Sequence, residues 1–144
     1  MPDLQISPLA LAQRPLLDKF YRAERSPMRV GNAQRLWVAR CGGIVAGLCL
    51  SAVDDGHWLT GLWVASQARG AGVGSRLLGQ VIAETPGPIW LFCNPHLLAF
   101  YQPLGFAACD QLPQPLHERL MRYRQSKRLL ALHVCGAGLP AATP

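Results

Sequence analysis

The sequence predicts a mixed α/β domain. An apolar strand pattern passes through a Gly-rich turn into an amphipathic helix between His57 and Glu84, and strand patterns joined by tight turns precede it. The chain has 144 residues, half of them hydrophobic, which suits one domain with a proper core. Neither an internal repeat nor a low-complexity segment divides it. We expect a single domain over residues 1–135 and a flexible C-terminal tail over 136–144, rich in Gly, Ala and Pro.

The central stretch begins with the apolar residues Trp58, Leu59, Leu62, Trp63 and Val64 of a strand. It turns through Arg69, Gly70, Ala71, Gly72, Val73 and Gly74, and Val73, Leu77, Leu78, Val81 and Ile82 then recur at the spacing of one buried helical face. Strand, Gly-rich turn and helix together form an anion-binding arrangement. Glycines let backbone N–H groups approach a ligand, and the first helical turn adds unpaired N–H groups and the positive end of the helix dipole. A P-loop would close with Gly-Lys and then Ser or Thr, whereas this turn closes with Gly74, Ser75 and Arg76. A dinucleotide-binding turn would follow the first strand with G-x-G-x-x-G and an acid about 20 residues on. Here the glycines are spaced G-x-G-x-G, and no acidic residue follows Glu84 until Asp110.

Arg69, Gly72 and Gly74 realise an Arg-x-x-Gly-x-Gly pattern, and a second block, Ile89 to Phe106, carries Asn94, Tyr101, Gly105 and Phe106 after a strand. In these two blocks, which cover residues 57–106, the sequence resembles the GCN5-related N-acetyltransferase (GNAT) family. The resemblance implies an acyl-CoA N-acyltransferase fold: a central, mostly antiparallel sheet with helices on both faces. It also implies that acetyl-CoA binds between the strand from His57 and the strand from Ile89. The backbone of Gly70 to Ser75, including Ala71 and Val73, would hold the pyrophosphate of coenzyme A, with Arg69 and Arg76 lending positive charge. Main-chain groups of Leu62, Trp63 and Val64 would pair with the pantetheine arm. Those three side chains serve equally well as core, so the residue types do not separate the two roles.

From the N-terminus, Asp3 to Ile6 reads as a short edge strand. Ser7-Pro8 reads as an N-cap with Pro at the first helical position, and Pro15 restarts or kinks the helix. Leu16, Leu17, Phe20 and Tyr21 make its apolar face, as plain core or as a border of the acceptor site. Ser26 to Gln34, with Pro27, Gly31 and Asn32, reads as a loop. Arg22, Arg25, Arg29 and Arg35 around it form either a solvated basic face or a lining that favours an acidic acceptor. Strands follow at Leu36–Cys41 and Ile44–Val53, joined by Gly42-Gly43, a two-residue hairpin turn that tolerates positive φ at both positions. Asp54-Asp55-Gly56 turns the chain into the strand from His57. Thr85 to Pro88 breaks the central helix, Ile89 to Cys93 is a strand, and Asn94-Pro95 starts a short helix through Gln102. A strand to Cys109, an amphipathic helix over Pro113–Gln125 with Leu116, Leu120, Met121 and Tyr123, and a strand over Leu129–Val134 complete the chain.

Asn94 has two compatible roles, helix N-cap and hydrogen-bond partner of pantetheine. Tyr101 is the catalytic candidate. Aminolysis of a thioester needs an acid for the departing thiolate, and a phenol near pKa 10 can supply the proton. The alternative is a buried aromatic beside Phe100 and Phe106. Many family members carry a basic Glu on one of the flanking strands, but His57–Ala65 and Ile89–Cys93 hold no carboxylate. His57, His96, or Asp54 and Asp55 through water are candidate bases, or the amine arrives already deprotonated. Cys93 reads as a nucleophile or, without a partner base, as a small buried residue.

The net charge of +6 suits an anionic ligand. Arg119, Arg122, Arg124, Lys127 and Arg128 make the most basic stretch, as a solvated face, a patch for the adenosine phosphate or a partner surface. The aromatics form no stacking array, so nucleic acid is not expected. No apolar run approaches the roughly 18 residues of a membrane span, and no metal site is expected. Five cysteines without a C-x-x-C pair, in a chain lacking a signal-peptide pattern, lead us to expect reduced thiols in the cytoplasm. The expected activity is direct acetyl transfer from acetyl-CoA to an amine of a small molecule or protein. The rival is a non-catalytic acyl-CoA sensor regulating a protein partner. The sequence leaves oligomeric state open, a homodimer included.

Overall fold

The first strand, β1 (Gln5–Leu9), runs antiparallel to β2 (Arg35–Cys41), with Ser7 opposite Val38 and Pro8 opposite Trp37 in the computed structural model, which describes residues 3–137. Ser7-Pro8 is therefore strand and not a helix start. Proline lacks a ladder donor, but an edge strand needs only one side paired, so it is tolerated there. The helix begins later: a 3-10 turn at Leu11–Gln13 leads into α1 (Arg14–Ala23), with Pro15 in its first turn. Leu17, Phe20 and Tyr21 are buried as expected, whereas Leu16 is 44% exposed. Residue 16 lies about 100° round the helix from residue 17 and so falls off the buried face.

A hairpin joins β2 to β3 (Gly43–Val53) more tightly than the Gly42-Gly43 pattern suggests. Gly42 alone takes positive φ (+84°), and Gly43 already pairs with Cys41. The register slips between Ala39 and Arg40, whose partners are Ala46 and Ile44, so Val45 is an extra, bulged residue. After a turn at Asp54-Asp55, β4 (Gly56–Val64) leads through a 3-10 turn at Ser66–Ala68 and the Gly-rich turn into α2 (Val73–Glu84). Val73, Leu77, Leu78 and Val81 of the expected face are buried, and Ile82 is half-buried.

The strands form one seven-stranded sheet in the order β1-β2-β3-β4-β5-β7-β6, with β5 at Pro86–Cys93, β6 at Ala107–Ala108 and β7 at Leu130–Ala137. Four adjacent pairs are antiparallel (β1–β2, β2–β3, β5–β7, β6–β7), and β4–β5 is parallel at His57↔Ile89 and Trp58↔Trp90. The chain folds as two compact units, residues 3–51 with 59–81 and residues 52–58 with 82–137.

In the first unit α1 seals a core of Leu9, Leu17, Tyr21, Leu36, Val38 and Cys49. In the second, Pro86 and Pro88 belong to β5 rather than to a loop, opposite Ala137 and Cys135. Two residues apart, they turn their missing donors to the same side, and the Pro88 carbonyl there lies against Gly56, where any Cβ would collide with it. Face alternation puts Trp58, Trp90 and Phe92 together, and α4 (Gln114–Tyr123) covers them: Arg119 stacks 4.6 Å over Trp58 and Tyr123 meets Phe92 edge-on at 6.2 Å. Leu116 and Leu120 of α4 are buried, but Met121 is 44% exposed. The expected strand through Cys109 shortens to Ala107–Ala108, with the Cys109 N–H donating to the Ala131 carbonyl at 2.9 Å. β7 runs past Val134 to Ala137, so Gly136 of the expected tail is strand, and residues 138–144 lie outside the described residues.

Candidate active site

The Gly-rich turn has the conformation that anion binding needs. Gly70 and Gly72 adopt φ of +83° and +78°, which L side chains rarely take, and nothing lies within 4 Å of either Cβ position. The first hydrogen bond of α2 is the Arg76 N–H to the Gly72 carbonyl at 3.0 Å. The N–H groups of Val73, Gly74 and Ser75 therefore precede the helical ladder at the positive end of the dipole. No acidic residue stands in that first turn. Arg76 is exposed and lines, with Asp3, Gln67, Ala68, Ala71 and Val73, an open cavity of about 840 Å³ that the β2–β3 hairpin borders with Cys41 and Val45. Arg69 is placed differently from a free cation. Its Nε donates to the Val64 carbonyl at 3.0 Å and its guanidinium stacks 5.0 Å over Trp63, which ties the turn to the end of β4.

Strand β4 is not regular. Gly61 has φ of +72° in mid-strand, and its carbonyl accepts a 2.6 Å hydrogen bond from the fully buried Tyr21 hydroxyl of α1. Cys49 Sγ lies 3.6 Å behind that hydroxyl. Burial raises the Tyr21 pKa far above the phenol range and lifts the Cys49 thiol to about 11, so both stay neutral. Just past the end of α1, its C-cap Glu24 accepts the Ser66 N–H at 2.9 Å, where the chain has left β4 for the turn. Side chains from α1 and its C-cap thus anchor the chain on either side of Leu62, Trp63 and Val64. The Tyr21 bond joins residues 40 apart, which no local pattern records, although a glycine inside an apolar strand is itself a sign of irregular backbone.

In the second unit Tyr101, on the short helix α3 (Leu98–Tyr101), is buried at 7% exposure between Phe100 and Phe106, whose rings stand 4.9 and 5.5 Å away edge-on. Burial, aided by the nearby Cys93 sulfur, lifts its hydroxyl to about 12, so it keeps its proton at neutral pH. Burial likewise raises the Cys93 thiol, which disfavours the nucleophilic thiolate. Asn94 takes the N-cap backbone position but makes no capping bond. Its Oδ1 instead pairs with His96 Nδ1 at 2.8 Å, and both residues are exposed.

The structure does not bring the other candidate bases to Tyr101. His57 pairs with Ile89, four residues before Cys93, which is about 13 Å of strand at the usual rise. Asp54 and Asp55 lie at the turn beyond that same end. Among the described residues no cluster of three metal-ligating side chains occurs, and no helix is long and apolar enough to cross a membrane.

The Tyr101 shift carries a pH dependence. The fold raises its pKa above the unfolded value of 10, so the stability from the neutral phenol is complete below pH 10 and is lost as pH rises through about 12. Urea midpoints between pH 9 and 11.5 should fall more steeply in the parent than in Tyr101→Phe. Equal slopes would contradict a buried, protonated phenol.

A profile of the acetyltransferase (GNAT) domain matches residues 32–108, just over half of the chain. No curated protein sequence matches it. Among solved structures, a GNAT-family acetyltransferase from Staphylococcus aureus Mu50 superposes with a TM-score of 0.64 at 15% identity, covering 92% of this chain and 99% of that one. The Escherichia coli ribosomal-protein-S18-alanine N-acetyltransferase gives 0.63 at 16% identity, covering 96% and 97%. The Neisseria gonorrhoeae N-acetylglutamate synthase, solved with coenzyme A and L-arginine, gives 0.68 at 18% identity, and there the match spans 94% of this chain but only 34% of the larger protein. At these identities the structures speak for the fold, and the domain match, which runs from Asn32 through the Gly-rich turn and Tyr101 to Ala108, speaks for the family. The chain belongs to the GNAT acetyltransferase family.

Proposed function

We infer that this acetyltransferase uses acetyl-CoA and transfers its acetyl group directly to an amine. The observation that carries the reading is the Gly70–Gly72 turn, which leads into α2 so that the N–H groups of Val73, Gly74 and Ser75 precede the helical ladder. These groups suit a pyrophosphate and need no lysine. Main chain from Leu62 to Val64, held by Tyr21 and Glu24, would pair with the pantetheine arm, and the backbone near Val64 would polarise the reacting carbonyl. The buried Trp63 Nε1, which has no partner, is one more donor on that strand.

Acetyl-CoA supplies the acetyl group and the thiol leaving group. Tyr101 gives its phenolic proton to the departing sulfur and regains one from solvent, which takes up the proton lost by the amine. With no carboxylate on β4 or β5, the acceptor arrives as the free amine or gives its proton to water. The acceptor is an amine of a small molecule or a protein.

The test is thiol release from acetyl-CoA over a panel of amines. Release that requires both an amine and acetyl-CoA, with acetyl-amine recovered in equal amount, is the expected result. Tight acetyl-CoA binding without release for any amine or peptide would instead favour a sensor.

A further inference from the structure

The end of β5 and the connection from α4 to β7 enclose a cavity of about 600 Å³, lined by Asn94, Pro95 and His96 on one side and by residues 126–129 on the other. A second hollow of about 300 Å³ continues it along Pro95, Lys127 and Arg128 to Arg124. His96, Arg124, Lys127 and Arg128 thus border one groove, and no Asp or Glu lines either part. The local shape is held from within. Arg124 Nε donates to the Leu129 carbonyl at 3.1 Å, and Lys127 lies 5.6 Å over the Tyr123 ring.

The polar groups of the groove are nearly all donors. Asn94 Oδ1 is engaged by His96 Nδ1, which leaves the Asn94 amide N–H groups, the Ser126 hydroxyl, the Lys127 ammonium and the Arg128 guanidinium for a ligand. Such a set fits a carboxylate or phosphate oxygen. Its place in the fold narrows the choice. Cys93 pairs with Leu130 as the last rung between β5 and β7, and Asn94 and Leu129, the next residues on the two strands, open the cavity. From the same lining, Pro95 to Leu97 runs straight into α3, which ends at Tyr101. An amine reacting beside Tyr101 would therefore have the groove within reach of its other end.

We propose that this groove holds the carboxylate of the acceptor, so that the enzyme acetylates small amines that also carry a carboxylate, in the manner of amino acids. The proposal rests on the acetyl-transfer reading above, but its first test does not. Glutarate is titrated into the full 15N-labelled chain, followed by glutaramide, its uncharged counterpart. Saturable shifts at the amides of Asn94, His96 and Ser126 to Arg128 with glutarate, and none with glutaramide, are the expected result. Lys127→Ala with Arg128→Ala should weaken glutarate at least tenfold and leave acetyl-CoA affinity and the thermal midpoint unchanged, since both side chains are exposed.

In turnover assays the same double variant should raise KM for a carboxylate-bearing amine at least tenfold, without a matching fall in kcat and without changing KM for its amide analogue. Absent glutarate shifts, or equal shifts with glutaramide, would overturn the proposal. So would a double variant that loses acetyl-CoA but not 3′-dephospho-acetyl-CoA, because the cations would then serve the nucleotide phosphate. Glutarate binding in a protein that binds no acetyl-CoA would keep the anion site and remove the transferase reading.

Discussion

Gly61→Ala should lower the thermal midpoint by about 10 °C, through a loss of about 3 kcal/mol. Two costs combine. An L side chain at φ of +72° is strained, and a Cβ there would sit 2.6 Å from the Tyr21 hydroxyl. The hydroxyl must then leave the Gly61 carbonyl, and two buried polar atoms lose their bond. Tyr21→Phe alone removes the same bond without the collision and should cost about 1–2 kcal/mol. The double variant is the informative one. Without the hydroxyl the nearest atom to the new Cβ is the ring Cζ at 3.4 Å, an ordinary contact. Adding Gly61→Ala to Tyr21→Phe should therefore cost clearly less than adding it to the parent. Because Leu62 to Val64 directly follow Gly61, Gly61→Ala should also weaken acetyl-CoA at least tenfold. Strict additivity in the cycle would mean that Tyr21 does not hold the positive-φ conformation of Gly61.

Tyr101→Phe should reduce kcat by about a hundredfold or more, the usual scale for losing a general acid. The ring stays between Phe100 and Phe106, so stability at neutral pH and acetyl-CoA affinity should remain close to those of the parent. Burial lifts the hydroxyl to about 12, so it stays protonated at working pH and suits an acid rather than a base. Parent turnover should accordingly rise with pH as the acceptor amine deprotonates and show no fall from Tyr101 below about pH 11. A kcat near the parent value in Tyr101→Phe would show that the thiolate departs without help from this residue.

The elements with strong local signals were legible in the sequence. The Val73–Val81 face, the turn glycines and the strands before them follow from periodicity and backbone chemistry, and the order Asn94, Tyr101, Gly105, Phe106 carries the family resemblance. The errors fall where proline was read by its commonest use. Pro8, Pro86 and Pro88 all sit in strands, each with its missing donor where the ladder does not call for it. Asn94 before Pro95 looks like a cap, yet its side chain turns to His96 two residues on. What remained hidden was pairing over distance. Neither the Tyr21 hydrogen bond to Gly61 nor the Glu24 bond to Ser66 leaves a mark on local sequence, because each depends on how α1 lies against β4 within the first unit.

Acetyl-CoA titration of Ser75→Glu against the parent tests the anion site at the start of α2 most directly. A glutamate in the first helical turn favours the helix by about 0.3–1 kcal/mol, so the variant should be as stable as the parent or slightly more so. The same charge would stand among the N–H groups assigned to the pyrophosphate. Calorimetry should show acetyl-CoA and coenzyme A binding in the parent and at least a hundredfold weaker binding in Ser75→Glu, with an unchanged or higher thermal midpoint. Equal affinity in parent and variant would contradict the assignment of the Gly70–Ser75 backbone to the cofactor.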